Sequence, residues 1–151
     1  MLDATDRKIL ELLQADARTP NTEIAKEVGL VPSAVLERIR RLEKKGIIEG
    51  YAARVNPKAL GRGLAAYIAV RSTERIGTAE TARQIAKLPQ VLEVHHVAGE
   101  DCLLVKVRCA DTEDLTRLLR ERFGKVRSIE STRTTIVLET VKETSALPLE
   151  P

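Results

Sequence analysis

The stretch "TPNTEIAKEVGLVPSAVLERIRRLEKKGII", Thr19–Ile48, decides the fold of the first third of the chain. Pro20 and Gly29 bracket one short helical pattern, and Pro32 and Gly46 bracket a second. Proline is favoured in the first turn of a helix, and glycine accepts the left-handed backbone that ends one. The residues "GLVP" between the two patterns leave room only for a tight turn. This spacing predicts two helices joined as in a helix-turn-helix.

A supporting helix is predicted upstream of this pair. Asp3 is a suitable N-cap for a segment that carries Ile9, Leu12 and Leu13 at helical spacing. Thr19 is the expected N-cap of the next helix, which turns Ile24 and Val28 inward. The residues "IIEGYAARV" after the third helix predict a short extended segment.

The third helix has two distinct sides. Val35, Ile39 and Leu42 form an apolar stripe at helical spacing. One interpretation of the charged side is a solvated surface stabilised by the Glu37–Arg41 spacing of four. The other is a DNA-binding face, because small residues come first and long cations later, as suits a helix entering the major groove by its N-terminal end. The helix-turn-helix frame favours DNA binding.

The expected DNA contacts divide by side-chain chemistry. Base edges are expected to be read from the N-terminal part of the face, and phosphates to be contacted by the remaining cations. The base-reading candidates are Ser33, Ala34, Glu37, Arg38 and Arg41, and the phosphate candidates are Arg40, Lys44 and Lys45.

The turn-rich stretch "NPKALGRG", Asn56–Gly63, marks a domain boundary. Beyond it the pattern predicts strand, helix, strand, strand, helix, strand, with a final long strand over Val126–Val141. The expected domains are a helix-turn-helix at 1–50, a linker at 51–63, a second domain at 64–142 and a loosely held tail at 143–151. Antiparallel strands with both helices on one face leave the other face free, which favours a homodimer.

Several classes of function find little support. The net charge of +3 and the 2% aromatic content weigh against a uniformly basic protein or a base-stacking platform. The charged start "MLDATDRKIL" and the absence of an apolar run of about 18 residues predict a cytoplasmic chain without a membrane segment. His95 and His96 are expected on opposite strand faces, so no metal site is predicted, and no catalytic motif is found. Cys102 and Cys109 are expected to be buried free thiols.

The chain resembles the Lrp/AsnC (feast/famine) family of transcriptional regulators over nearly its whole length. In the first half the resemblance is carried by "LDATDRKILELLQADAR", "TEIAKEVGL" and "VLERIRRLEKKGIIEGYAARVNP". In the second half it is carried by "AGEDCLLVKV" and "STRTTIVLETVK". Val31 stands where the family commonly has serine before the third helix, and Cys102 stands where it often has aspartate.

The resemblance implies an α+β fold, with an N-terminal winged helix-turn-helix of three helices and a C-terminal βαββαβ ACT-like (RAM) sandwich. It also implies a sequence-specific regulator that pairs through its sheets, assembles as an octamer of four dimers, and binds an amino acid between subunits, with no other cofactor. The implied effector positions are Ala98, Gly99, Glu100, Asp101, Cys102, Thr134, Ile136 and Val137.

Two alternatives remain open at this point. One is an architectural protein that wraps DNA with little response to an effector. The other is an enzyme, because sirohaem decarboxylases resemble the same two-domain arrangement and could place His95 or His96 near a tetrapyrrole.

Overall fold

The computed structural model describes residues 2–75 and 78–149. These residues form two units, one of residues 2–54 with 142–149 and one of residues 55–75 with 78–141. The first unit contains the helices Ala4–Ala15 (α1), Asn21–Val28 (α2) and Pro32–Lys44 (α3). The second contains Leu64–Ser72 (β1), Glu80–Ala86 (α4), Val91–His96 (β2), Leu103–Cys109 (β3), Thr112–Glu121 (α5), a 3-10 turn at Phe123–Lys125 and Ile129–Ile136 (β4).

The helix ends of the first unit follow the sequence signals with one exception. Asp3 caps α1 as predicted, because its Oδ1 accepts from the backbone N–H of Asp6 at 2.7 Å. Gly29 ends α2 with a left-handed φ of 68°. The prediction for Thr19 is wrong: Pro20 occupies the N-cap of α2, and the Thr19 hydroxyl instead donates to the carbonyl of Asp16. Helix α2 therefore begins one residue later than expected.

The predicted apolar stripe of α3 is confirmed. Val35, Ile39 and Leu42 are buried in a core that they share with Ile9 and Ile24. Burying a side chain of this size contributes about 1.5–3 kcal/mol. Since this ridge is turned into the unit, the opposite side of α3 faces solvent.

The second unit is a four-stranded antiparallel sheet in the order β2-β3-β1-β4. Alternate residues of the central strands β1 and β3 are buried in one core with Ile85 of α4 and with Leu115 and Leu118 of α5. Together with the first unit, this arrangement confirms the predicted α+β fold class.

The strand details differ from the sequence pattern in places. A shift of register between Val91 and Glu93 leaves Leu92 exposed, so Leu92 does not share a face with Val94 as alternation predicts. Strand β4 begins at Ile129 and ends at Ile136, and Leu138 and Val141 beyond it are almost fully exposed. The prediction of a final strand over Val126–Val141 is therefore wrong at both ends. Residues 47–55, expected to be extended, form no strand in the part of the chain that the structure describes.

Candidate functional site: a cationic helix face and a charged hairpin

The solvent face of α3 carries side chains that are free to bind another molecule. Ser33, Glu37, Arg40 and Lys44 are exposed, and Ala34 beside them is half-buried. Within residues 2–75 and 78–149, Glu37, Arg40 and Lys44 form no side-chain hydrogen bond or ion pair. The Glu37–Arg41 pair expected for a self-neutralised surface is therefore not formed in this structure.

Arg38 and Arg41 point in a different direction from the rest of the charged face. Nη1 of Arg38 lies 2.7 Å from Oδ2 of Asp3 and 2.7 Å from Oδ1 of Asp6. Nη2 of Arg41 lies 3.1 Å and 3.2 Å from the two carboxylate oxygens of Asp6. Both arginines were expected to read bases, and the structure places both on the carboxylates at the start of α1.

The electrostatics of this cluster follow from its hydrogen bonds. The Arg38 guanidinium, followed by the backbone N–H of Asp6, holds the pKa of the Asp3 carboxyl below its ordinary value. The same contacts, with Asp3 first and Asp6 second, raise the pKa of Arg38. Asp6 was not among the predicted functional residues. The only signal for it was a second acid in the first turn of α1, three residues after the N-cap.

The N-terminal end of α3 suits an anionic partner. Its N-cap, Val31, has no side-chain oxygen, and its carbonyl accepts the amides of Ala34 and Val35 at 3.0 Å and 3.2 Å. A helix N-terminus carries a partial positive charge and attracts phosphate groups. The exposed face thus combines a positive helix end with short side chains and, further along, with Arg40 and Lys44.

The hairpin between β2 and β3 contains five of the predicted effector positions. Gly99 adopts a φ of 122°, a conformation that L side chains rarely adopt. Oδ2 of Asp101 lies 2.5 Å from the Arg133 guanidinium, and Oε2 of Glu100 lies 3.5 Å from that of Arg71. The thiol of Cys102 lies 3.6 Å from the carbonyl of Val70.

The remaining predicted effector positions are not all close to this hairpin. Thr134 pairs with Ile68 and Ile136 pairs with Ala66, whereas the hairpin leaves the sheet where Leu103 pairs with Val70. Val70 lies four positions after Ala66 along β1, a separation of about 13 Å. Within one copy of the chain, Ile136 and the following Val137 therefore lie away from the hairpin. Arg71 and Arg133 were not among the predicted site residues, although Arg71 interrupts an otherwise uncharged β1.

The histidines and cysteines show no arrangement typical of catalysis. His95 pairs with Leu104 and His96 with Leu103, so the two rings lie on opposite faces. His95 first, and then Lys106, hold the pKa of Glu93 below its ordinary value through hydrogen bonds. Both cysteines are free, with Cys109 buried and Cys102 half-buried. The described residues contain no metal-binding group of three His, Cys, Asp or Glu, and none of their helices could cross a membrane.

Comparison with protein families gives one match in the N-terminal part of the chain and one in the C-terminal part. Residues 2–49 match the winged helix-turn-helix DNA-binding family. Residues 65–147 match the Lrp/AsnC ligand binding domain.

Two relatives match over nearly the whole chain. The chain is 38% identical to the HTH-type transcriptional regulator FL11 of Pyrococcus furiosus over 150 residues, covering 99% of this chain and 98% of the relative. It is 37% identical to the leucine-responsive regulatory protein of Escherichia coli K12 over 153 residues, covering 99% and 92%.

Two solved structures share the fold and contain an amino acid. A transcriptional regulator from Neisseria meningitidis in complex with L-Met has a TM-score of 0.93 and 31% identity, with 99% of this chain and 97% of that chain covered. A feast or famine regulatory protein from M. tuberculosis complexed with L-methionine has a TM-score of 0.89 and 33% identity, with 97% and 99% covered.

Proposed function

The chain belongs to the Lrp/AsnC family of DNA-binding transcriptional regulators, and we propose that it reads DNA with the exposed face of α3. It is not an enzyme, so the tetrapyrrole hypothesis for His95 and His96 is set aside. The observation that carries the proposal is the absence of intramolecular partners for Glu37, Arg40 and Lys44, within the described residues, on a helix whose other side is buried.

The proposed DNA contacts follow the order of side chains along the helix. Ser33, Ala34 and Glu37 lie towards its N-terminal end and are suited to base edges in the major groove. Arg40, Lys44 and Lys45 lie further along and are suited to phosphates. We leave Arg38 and Arg41 out of this set, because their guanidinium groups are bonded to carboxylates of α1.

We also propose that an amino acid is the effector. The two relatives solved with L-methionine support this. Acids and arginines lie close together at the hairpin, because Glu100 pairs with Arg71 and Asp101 with Arg133. The ammonium and carboxylate groups of a free amino acid complement this mixture of charges. The proposed effector positions of the hairpin are Ala98, Gly99, Glu100, Asp101 and Cys102. Thr134, Ile136 and Val137 complete the proposed site only if a second copy brings them close. The effector would then shift the population of assemblies.

A homodimer is part of this proposal. The sheet packs its helices on one face, and the opposite face carries Tyr67 and Leu104, neither of which is fully buried. A second copy could cover that face, and four dimers could form an octamer. As a regulator that acts on DNA, the chain is expected to work in the cytoplasm.

Isothermal titration calorimetry with L-methionine and the other proteinogenic amino acids tests the effector proposal. We expect at least one to bind, and we expect Arg133→Ala to weaken that binding. Arg120→Ala, on the exposed side of α5, is the matched control. No heat with any amino acid, together with binding to a DNA duplex, would favour the architectural alternative.

A further inference from the structure

We propose that Asp6 is a positioning residue for DNA binding: it holds the guanidinium groups of Arg38 and Arg41 on α1 and so leaves the outward cations of α3 to contact phosphates. This inference rests on the proposed role of the exposed face of α3. It adds that two of the cations in this helix are withheld from the duplex by the protein itself.

The burial of Asp6 makes its ion pairs hard to exchange for phosphate contacts. Its side chain is 6% exposed, and that of Arg38 is 26% exposed. A buried carboxylate that loses its partner is left uncompensated, which is costly, so moving Arg38 from Asp6 to a phosphate would carry that cost. Asp3 strengthens the hold on Arg38, because it caps α1 through Oδ1 and contacts Arg38 through Oδ2.

The helical geometry separates the two sets of cations. At about 100° per residue, Arg38 and Arg41 lie about 60° and 120° from Val35 on the side of α1. Arg40 and Lys44 lie about 140° and 180° from Val35, on the other flank and directly opposite the core. We call Arg38 and Arg41, which are bonded to Asp6, the clamped arginines. Arg41 is the more exposed of the two, with 47% of its side chain exposed, yet its Nη2 reaches both oxygens of Asp6.

The ion pairs of Asp6 affect the specificity of DNA binding as well as the orientation of the two arginines. Contacts between cations and phosphates bind any sequence, and each contributes about 0.9 to the slope of log K against log salt concentration. The carboxylates of Asp6 and Asp3 together balance the charges of the two arginines, which lowers the affinity that the helix has for unrelated DNA. Asp6 thereby widens the difference between specific and non-specific binding.

The test measures binding of the full-length protein to two DNA duplexes of equal length over a series of KCl concentrations. One duplex is a site selected in vitro by the unaltered protein, and the other has random sequence. Arg38→Ala and Arg41→Ala report on the clamped cations, while Arg40→Ala and Lys44→Ala report on the free ones. Asp6→Asn removes the negative charge that both clamped arginines contact. Thermal unfolding of each variant records any loss of folded protein.

We expect Arg40→Ala and Lys44→Ala each to make the salt slope shallower by about 0.9, because each removes one cation from a phosphate. We expect Arg38→Ala and Arg41→Ala to leave the slope unchanged. Asp6→Asn should make the slope on random DNA steeper and narrow the ratio of the two affinities. A merely structural role would reduce the amount of active protein without changing the slope. If Asp6→Asn does not fold, the two clamped arginines decide the outcome.

The proposal is overturned if Arg38→Ala makes the slope shallower by as much as Arg40→Ala does. It is also overturned if folded Asp6→Asn keeps the slope and ratio of the unaltered protein. Failure of the underlying DNA-binding assignment is distinguishable, since Arg40→Ala and Lys44→Ala would then have no effect on either duplex.

Discussion

The side-chain amide of Gln14 forms two hydrogen bonds with the backbone of Leu147, although 133 residues separate them in the chain. Its Oε1 accepts from the Leu147 N–H at 2.7 Å, and its Nε2 donates to the Leu147 carbonyl at 3.0 Å. Leu149 packs against the core of the same unit, and its carbonyl accepts from Arg7 at 3.3 Å. The C-terminal segment, expected to be held loosely, thus has specific contacts with α1.

Removing these hydrogen bonds should weaken the N-terminal unit. We expect Gln14→Ala to lower its free energy of unfolding by about 1 kcal/mol, because alanine can form neither of the two exposed bonds. Hydrogen exchange of the α1 amides measures this directly. Gln84→Ala is the matched control, since the Gln84 side chain bonds to Glu80 of its own helix. Equal exchange rates in the two variants would contradict a stabilising role for the C-terminal segment.

Glu37 should determine the preference for one base pair in each half-site. Glu37 is a free carboxylate among cations that bind DNA of any sequence. A carboxylate is best suited to accept a hydrogen bond from the N4 amino group of cytosine, whereas glutamine pairs best with adenine. In vitro selection with Glu37→Gln is therefore expected to change one position from cytosine to adenine. Glu43→Gln is the control, because Glu43 accepts from the Tyr51 hydroxyl instead. Identical selected sites for the unaltered protein and Glu37→Gln would refute this role.

The ion pair of Asp3 should make the stability of the N-terminal unit depend on pH in the acid range. Arg38 lowers the pKa of Asp3 in the folded state, so the unfolded state binds more protons below the ordinary value of 3.8. The stabilisation is present above that value and is lost as the pH falls through the lowered pKa.

Asp3→Asn isolates this effect, because asparagine keeps the N-cap and loses only the charge. We expect chemical denaturation to show the variant less stable at pH 7 and the difference to shrink below pH 3.8. Glu23→Gln, at an exposed position of α2, should show no such convergence. A difference that stays constant down to the acid transition would argue against the ion pair.

The two thiols should react at very different rates. Burial first, and then the charge of Asp114, raise the pKa of Cys109 to about 11. At pH 8 a thiol reagent should modify half-buried Cys102 promptly and Cys109 only after unfolding. Because the folded pKa lies above the ordinary 9.0, the stabilisation from Cys109 is present below pH 9 and lost as the pH rises towards 11. A Cys102→Ala variant that still shows a fast-reacting thiol would contradict this assignment.

The features that repeat locally in the sequence are the ones that its pattern predicts well. The buried stripe of Val35, Ile39 and Leu42 follows from helical periodicity, and the end of α2 follows from the conformational freedom of Gly29. The order of strands and helices in the second unit follows from the apolar residues, whose spacing changes between the period of a strand and the period of a helix. Each of these depends on residues close together in the chain.

The features that the sequence pattern does not predict depend on contacts between distant residues. No periodicity pairs Asp6 with Arg38, which lies 32 positions later, and the charge pattern assigned both Arg38 and Arg40 to DNA contacts. The register shift that exposes Leu92 has no signal in the alternating pattern of β2. The ion pairs of Arg71 and Arg133 form only once the hairpin is folded beside β1 and β4.

The most direct test of the central claim is the affinity of the double variant Arg40→Ala/Lys44→Ala for a duplex site selected by the unaltered protein, measured by fluorescence anisotropy. A double variant of exposed basic residues elsewhere, Lys87→Ala/Arg120→Ala, carries the same change of charge. The outward face of α3 as the DNA-binding surface predicts at least about a tenfold loss for the first variant and little change for the second. Equal affinities for the two variants would contradict it.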